Sequence, residues 1–416
     1  MNTRFTRRAA SLALALLIAA GAAPHSFAQS RRTPPQAPQK KNTRPDETQS
    51  ADPAKQQQEP QEPVPPDTLK EQDVVKVASN IVQVEAVVYN KKSGQIVMGL
   101  KKENFAIFED GIQRDVSNFS TPDAPITVAV VMEYSKLGQA IGYLGSSGTE
   151  AGQLEVLRPM AAFLSGFIKP PDDYVSVIAY DMRPTPLTDF TNDPGRINAV
   201  INLLLRNQPA FRETNLFDAL KLTLAGGRAD SVVLENSEKR WQEYAGMKDI
   251  QGRRKAVLLI SSGIDTFSKI NYDEARKIAQ NAGVPVYIVG TGNLFLKKYD
   301  HQMGAEDGLG GATEPGRMTF LQAQNTLKTF AEETGGAYFP MTFPGEIPTI
   351  LSSINAMMRN QYSLAYSTGE RRDGKRHKIV VKVDVDGDGT YDDKEFVVKA
   401  RQFYNSPKPD KASGDK

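Results

Sequence analysis

The sequence predicts an α/β fold: a doubly wound, mostly parallel sheet inserted in a small β-sandwich-like domain. Three observations point to it. Between residues 125 and 360, nearly continuous apolar runs ("ITVAVVMEY", "KAVLLISSG", "VPVYIVGTG") alternate with helical patterns. Parallel strands covered by helices on both faces have this texture. Before Pro125 no helical period occurs, and after residue 360 the apolar–polar alternation of half-exposed strands returns.

Taken in order, residues 1–28 read as an export signal. Arg4, Arg7 and Arg8 precede the apolar run "SLALALLIAAGAA" and the small-x-small site "SFA". The competing reading of that run is a membrane anchor, and the Arg pair in "TRRAAS" leaves Sec and twin-arginine export both open. Residues 29–72 are rich in Pro, Gln and charge. They hold too little apolar surface to offset the entropy of ordering, so a disordered linker is expected.

In residues 74–124, "NIVQVEAVVYN" alternates as a strand, and a Glu-Asp-Gly turn between "FAIFEDG" and "QRDVSNFS" predicts a hairpin. In residues 125–360, strands at "ITVAVVMEY", "DYVSVIAYD", "KAVLLISSG", "VPVYIVGTG" and "GGAYF" are separated by helical patterns. These cover roughly 150–168, "RINAVINLLLRN", "LFDALKLTL", "DEARKIAQNAG" up to Gly283, 318–334 and 347–360, with a polar helical insertion between Gly227 and Gly252. Residues 361–405 return to strands, with "HKIVVKV" and "EFVVKA" expected to pair as a hairpin. Residues 74–124 and 361–405 each offer few strands, which favours one shared β domain over two separate modules. Residues 406–416 are expected to be a disordered tail.

The 416 residues carry a formal net charge of +2, which gives no global bias towards nucleic acid. Cysteine is absent, so disulfides, zinc thiolates and cysteine nucleophiles are excluded. The histidines are His25, His301 and His377, and none shows an evident triad. No Gly-x-Ser-x-Gly, His-Glu-x-x-His or phosphate-loop pattern occurs. "GLGGATEPG" has no strand before it and reads as a loop, and the paired Asp172 and Asp173 read as solvated turn residues. The sequence is therefore expected to be non-catalytic.

Three segments, "VAVVMEYS", "RETNLFDAL" and "KAVLLISSGIDT", resemble the metal-site segments of a von Willebrand factor A domain. "FAIFEDGIQRDVSNFS", "GRMTFLQAQNTLKTFAEETGGAYF" and "QYSLAYS" extend the match over about residues 74–405, to the VWFA-related domain proteins first catalogued in Acidobacteria. The resemblance implies a Rossmann-like von Willebrand factor A fold, secretion, and a metal-ion-dependent adhesion site that holds Mg²⁺ with one position open for a partner's carboxylate. In such a site the first segment is Asp-x-Ser-x-Ser, the second supplies a Thr and the third an Asp. Here those positions are Glu133, Ser135, Leu137, Thr214 and Ser262. Leu137 removes an oxygen ligand and Ser262 a negative charge. Mg²⁺ demands near-ideal octahedral oxygen geometry, so a degenerate site without tight Mg²⁺ binding is expected. Asp265 offers either a substitute carboxylate or ordinary turn and helix-cap chemistry.

A second acidic cluster, "DVDGDGTYDDKE" at residues 384–395, has Asp at positions one, three and five, Gly at six and Glu at twelve. That is the oxygen spacing of a calcium loop. The implied ligands are Asp384, Asp386, Asp388, the Thr390 carbonyl, Asp392 directly or through water, and Glu395. The competing reading is a solvated turn made by "DGDG". Trp241 reads as a packing anchor or a partner-binding knob, and "GERRDGKRHK" as a solvated basic loop.

The expected function is a secreted, periplasmic or cell-envelope protein–protein interaction or adhesion module with a protein partner. It carries structural Ca²⁺, engages no nucleic acid and keeps no transmembrane segment once the signal is removed. The alternatives are a structural scaffold component of an envelope assembly, or a von Willebrand factor A domain that retains Mg²⁺-dependent ligand binding.

Overall fold

Strand β5 (Ile126–Glu133) is buried at every residue and lies at the centre of a six-stranded sheet. Its neighbours are β6 (Tyr174–Tyr180) and β10 (Arg254–Ser261), both parallel to it. Beyond β10 lie β11 (Val286–Gly290) and β12 (Tyr338–Pro340), also parallel, and beyond β6 the antiparallel edge strand β7 (Pro184–Thr191). Numbered in chain order within the sheet, the spatial order is 3-2-1-4-5-6 from β7 to β12. That is a doubly wound sheet, whose order reverses between β5 and β10. The computed structural model describes residues 81–141, 159–164, 166–167, 169–229, 242–250, 253–299, 315–369 and 371–409. The expected signal, linker and first residues of the β region (1–80), His25, Trp241, His301, most of "GLGGATEPG" and the tail from 410 lie outside them.

Alternate residues of β5 serve two cores. Ile126, Val128, Val130 and Met132 pack with Met160, Leu164 and Phe167, α2 (Pro194–Arg206) and α7 (Ile347–Arg359). Ala129 and Val131 pack with α3 (Leu216–Ala225), α4 (Tyr272–Ala282) and α6 (Arg317–Thr334). This two-sided burial is why the strand reads as an unbroken apolar run. The helix ends follow their local sequence. Asp193 accepts the Gly195 amide with Pro194 opening α2, a capping box of Asn271 and Glu274 opens α4, and Gly283 in the left-handed region closes it. Two short helices were not expected: α1 (Lys136–Ile141) and α5 (Gly292–Tyr299). Nor was β7, whose Pro184 and Pro186 argue against a strand but are tolerated at an edge.

Two four-stranded antiparallel sheets accompany this unit. One has the order β15-β1-β13-β4, the other β16-β14-β2-β3. Their strands are β1 (Ile81–Asn90), β2 (Phe105–Glu109), β3 (Ile112–Arg114), β4 (Val116–Ser120), β13 (Tyr362–Ser367), β14 (Arg376–Val383), β15 (Phe396–Ala400) and β16 (Phe403–Asn405). Val84 and Val88 of β1, Ile107 of β2, Tyr362 and Leu364 of β13 and Ile379 of β14 share one apolar core. The expected hairpin is present: β2 pairs β3 through Asp110 and Gly111, both at positive φ, as a two-residue turn of type I′ requires.

Two expectations are corrected. β14 does not pair with β15: β14 pairs with β2 and β16, β15 with β1, so the acidic loop between them crosses from one sheet to the other. The described ends of the insertion between Gly227 and Gly252 hold two short strands and a single 3-10 turn at Met247–Asp249 rather than an α-helix. β8 (Gly227–Ala229) pairs with β9 (Gln242–Tyr244), because Gly226 and Gly246 approach too closely for any side chain.

Arg254 pins both chain crossings between the antiparallel strands and the six-stranded sheet. Its Nε donates to the Ala124 carbonyl at 2.8 Å and its Nη1 to the Met358 and Arg359 carbonyls at 3.0 and 3.1 Å. Asp173, read as a solvated turn residue, is instead 3% exposed. It accepts the Ile126 amide at 3.1 Å and Arg359 Nη1 at 2.6 Å. The neck is thus tied by charge-assisted bonds rather than by apolar packing alone.

Candidate functional site

The reversal between β5 and β10 opens its crevice at the carboxyl ends of those strands. Glu133 closes β5 there with no solvent exposure. One carboxylate oxygen accepts the Ser262 backbone N–H at 2.7 Å, and the other accepts the Ser135 hydroxyl at 2.9 Å. Ser135 Oγ also accepts the Gly138 amide at 2.9 Å, which ties down the first turn of α1. Beside this pair, Tyr180 at the end of β6 donates to Ser261 Oγ at 2.7 Å, and that oxygen accepts the Gly263 amide at 2.8 Å. Burial pushes the Glu133 carboxyl above its ordinary range, against the opposing pull of its Ser262 and Ser135 donors. Burial and the nearby Glu133 charge push the Tyr180 hydroxyl well up as well.

The remaining positions of the adhesion pattern are engaged elsewhere. Thr214 is fully buried, and its hydroxyl donates to the Ile264 carbonyl at 2.8 Å. Ser262 Oγ accepts the Ile264 amide at 3.3 Å. Asp265 accepts the Leu216 and Phe217 amides at 2.8 and 3.2 Å, so it satisfies the open N–H groups at the start of α3. Burial raises its pKa, against the hydrogen bond from Ser268 and those two amides. Leu137 is 4% exposed and packs on Ile264, Phe320 and Ala323, with Phe295 and Leu296 alongside. The rings of Phe295 and Phe320 stack there at 4.6 Å.

The donor set does not fit Mg²⁺. A leucine side chain in an apolar cluster stands where an oxygen ligand is needed, and the Glu133 carboxylate is held by protein donors on both oxygens. The structure brings together Glu133, Ser135 and Ser262, and turns the Thr214 hydroxyl and the Asp265 carboxylate to backbone partners. Sequence reasoning missed Tyr180 and Ser261. Ser261, next to Ser262 in the third segment, was the available signal.

On the same strand-end side two rings are half-exposed: Phe211 at 40% and Phe267 at 51%. Their loops are tied to the site, since the Lys136 amide donates to the Phe211 carbonyl at 2.7 Å and the Phe267 amide to the Thr214 carbonyl at 3.0 Å.

In the acidic loop, ligand atoms of Asp384, Asp386 and Asp388 lie within 4.8 Å of one another. Asp384 accepts the Gly387 and Gly389 amides, each at 2.8 Å, and both glycines sit at positive φ. Asp388 accepts the Thr390 amide at 2.7 Å and Asp392 the Val385 amide at 2.7 Å. Glu395, exposed, stands outside the close group of three.

His377, placed in a polar segment by its sequence, is 6% exposed. It lies between Asp110, 2.7 Å from Nδ1, and Asp373, 3.1 Å from Nε2. Arg371 of the expected solvated loop reaches buried Glu109 at 2.9 Å.

No family model matches the sequence, and no curated protein matches it. Among solved structures, a von Willebrand factor type A protein from Catenulispora acidiphila is 7% identical, with 80% of this chain and 76% of that chain covered and a TM-score of 0.38. The von Willebrand factor domain of the type V pilus tip protein Mfa5 from Porphyromonas gingivalis is 14% identical, with 57% and 95% covered and a TM-score of 0.37. An aerotolerance-related membrane protein from Bacteroides fragilis is 14% identical, with 56% and 98% covered and a TM-score of 0.35. Likenesses this distant decide nothing about activity. The strand order, with Glu133 and Ser262 meeting at its reversal, carries the fold assignment. The fold is von Willebrand factor A-like. Among the described residues no helix is long and apolar enough to cross a membrane.

Proposed function

We propose that this chain is a non-catalytic protein-binding module of the cell exterior or envelope, and that its strand-end face engages a protein partner without a bound Mg²⁺. The observation that carries this reading is that both oxygens of Glu133 accept protein donors, from Ser262 and Ser135, beside the Leu137 plug. A carboxylate engaged in this way has little to offer an incoming cation. Phe211 and Phe267 supply the replacement contact, because aromatic side chains bury large apolar area at modest entropic cost. The basic and apolar pattern of residues 4–28 supports export. The acidic loop is a structural Ca²⁺ site in this reading, supported by the spacing of Asp384, Asp386, Asp388, Thr390, Asp392 and Glu395 and by the close approach of the first three carboxylates.

The test is crosslinked capture of envelope proteins by the immobilised mature chain, with and without Mg²⁺ at constant Ca²⁺. The same partner is expected under both conditions, and is expected to be lost with Phe211→Ser and Phe267→Ser together. Capture that appears only with Mg²⁺ overturns the metal-free reading. Capture that survives the double substitution overturns the assignment of the face.

A further inference from the structure

A cleft of about 540 Å³ opens where the amino-terminal end of β10 meets the sheet β15-β1-β13-β4. It lies at the opposite end of β10 from Ser262, and of its lining residues the neck uses Ala124 and Arg254. Its volume is in the range of small-molecule sites. The wall carries five cations, Lys248, Arg253, Arg254, Lys255 and Arg401, and no carboxylate among the described residues that line it.

Three of these cations are buried: Arg254 is 2%, Lys255 4% and Arg401 6% exposed. Buried charge is costly unless it is compensated, and here the compensation is partial. Arg401 donates to the Gln83, Gln280 and Phe403 carbonyls, Arg254 to those of the neck, and Lys255 to the Ile250 carbonyl at 3.2 Å. Carbonyls satisfy donors but bring no net negative charge. Glu85, Asp173 and Asp123 attract Arg254, and Glu85 and Asp249 attract Lys255; Asp173 is shared with Arg359, and burial raises the pKa of Glu85 to about 7, so at neutral pH Glu85 supplies only part of a charge. Donors are left over: neither Nη2 of Arg254 nor the Lys248 ammonium has a partner among the described residues. The carboxyl end of α4 also faces the cleft and would repel an anion, but Arg401 covers its Gln280 carbonyl. Around the cations, Asn118 and Ser120 of β4 and Asn281 of α4 line the wall with neutral donors and acceptors.

We propose that this cleft binds an anionic saccharide, its carboxylate or phosphate held by Lys248, Arg254 and Lys255 and its hydroxyls by Asn118, Ser120 and Asn281. The excess of donors over acceptors selects the anion, and the neutral polar rim selects a hydroxyl-rich body over an apolar one.

The test is calorimetric titration of the mature full-length chain with galacturonate, trigalacturonate, glucose 6-phosphate, galactose and inorganic phosphate. Saturable binding is expected for at least one sugar anion, at least tenfold tighter than for inorganic phosphate and absent for galactose. A carboxylate-only response assigns the uronate source, and a phosphate-only response the sugar phosphate. Lys248→Glu and Lys255→Met should each weaken binding at least tenfold. Lys248 is exposed, so its variant keeps the fold even if Lys255→Met loosens the neck. Three results would overturn the proposal: no saturable binding of any sugar anion at 10 mM, inorganic phosphate binding as tightly as the sugar anions, or binding unchanged in Lys248→Glu.

Discussion

Glu133 and Asp384 are both carboxylates that accept backbone N–H groups within a tight local structure, yet their acidities move in opposite directions. At Glu133 burial outweighs the donors and the pKa rises. At Asp384 desolvation is outweighed by the Gly389 and Gly387 amides and the pKa falls. The difference is depth. Glu133 ends a strand enclosed by helices on both faces with no exposure, whereas Asp384, 9% exposed, opens a surface loop beside exposed Asp386 and Asp388. A buried carboxylate with no cation needs a donor for each oxygen, and the protein supplies Ser262 and Ser135. An exposed acidic loop can leave its charge to water and keep its carboxylates available to a cation.

The largest effect is expected from removing the buried member. Glu133→Ala leaves the Ser262 amide and the Ser135 hydroxyl buried without an acceptor, at roughly 1–3 kcal/mol each, and opens a cavity. Urea unfolding should show a loss of about 3–5 kcal/mol. The alanine variant of exposed Asp386 should lose less than about 0.5 kcal/mol without calcium. Equal losses at the two sites would break the comparison.

Glu85 extends it to a third environment. This carboxyl is 3% exposed and accepts from Gln83 at 2.8 Å and Ser363 at 2.9 Å, and burial raises its pKa from 4.5 to about 7. A folded-state pKa above the unfolded value means a stability contribution that is complete below pH 4.5 and is lost as pH rises through 7. The loss should amount to about 3 kcal/mol across that window. Glu85→Gln should flatten the pH profile of unfolding between those limits. A profile as steep as that of the unmodified protein would remove Glu85 as its cause.

Restoring oxygen ligands should turn the first site into one that answers a cation. Leu137→Ser with Ser262→Asp places a second carboxylate beside Glu133 and removes the apolar plug. The double variant should be destabilised without metal and regain roughly 2.7 kcal/mol when Mg²⁺ is at a hundred times its dissociation constant. The unmodified protein should show no shift in melting temperature with millimolar Mg²⁺. A large shift there would mean that Glu133 can exchange its protein donors for a metal.

The smallest effect belongs to the acidic loop. With a dissociation constant of order 10⁻³ M, 10 mM calcium should stabilise the protein by about 1.4 kcal/mol. Asp386→Ala with Glu395→Ala should abolish the gain, and Mg²⁺ should not reproduce it. Because the loop joins β14 to β15 across two sheets, the order it imparts should appear as slowed amide exchange in both strands. No calcium response at this concentration would leave the solvated turn as the whole account of the loop.

Much of the fold was legible because the evidence for it is local. The unbroken apolar run of β5 reports burial on two faces, Gly283 marks the end of α4, and Asp110-Gly111 specifies its own turn. The missing oxygen at Leu137 was legible too, since a leucine has none whatever surrounds it. β7 was hidden by its prolines, which only an edge position excuses.

The sequence by itself determined the kinds and order of the longer elements and the chemical groups at each strand end. Tertiary structure decided which strands pair and which charges are buried. β14 and β15 are close in the chain and have matching patterns, yet β14 pairs with β2 and β15 with β1, so they lie in the two different sheets that face each other across the shared core. Asp173 and His377 have polar neighbours in sequence and become buried only because the neck and the β2–β3 turn close over them, with Arg359 and Asp110 arriving as partners. Side-chain period and turn chemistry are read within a few residues. Pairing and desolvation depend on contacts between residues hundreds of positions apart, and no local pattern records them.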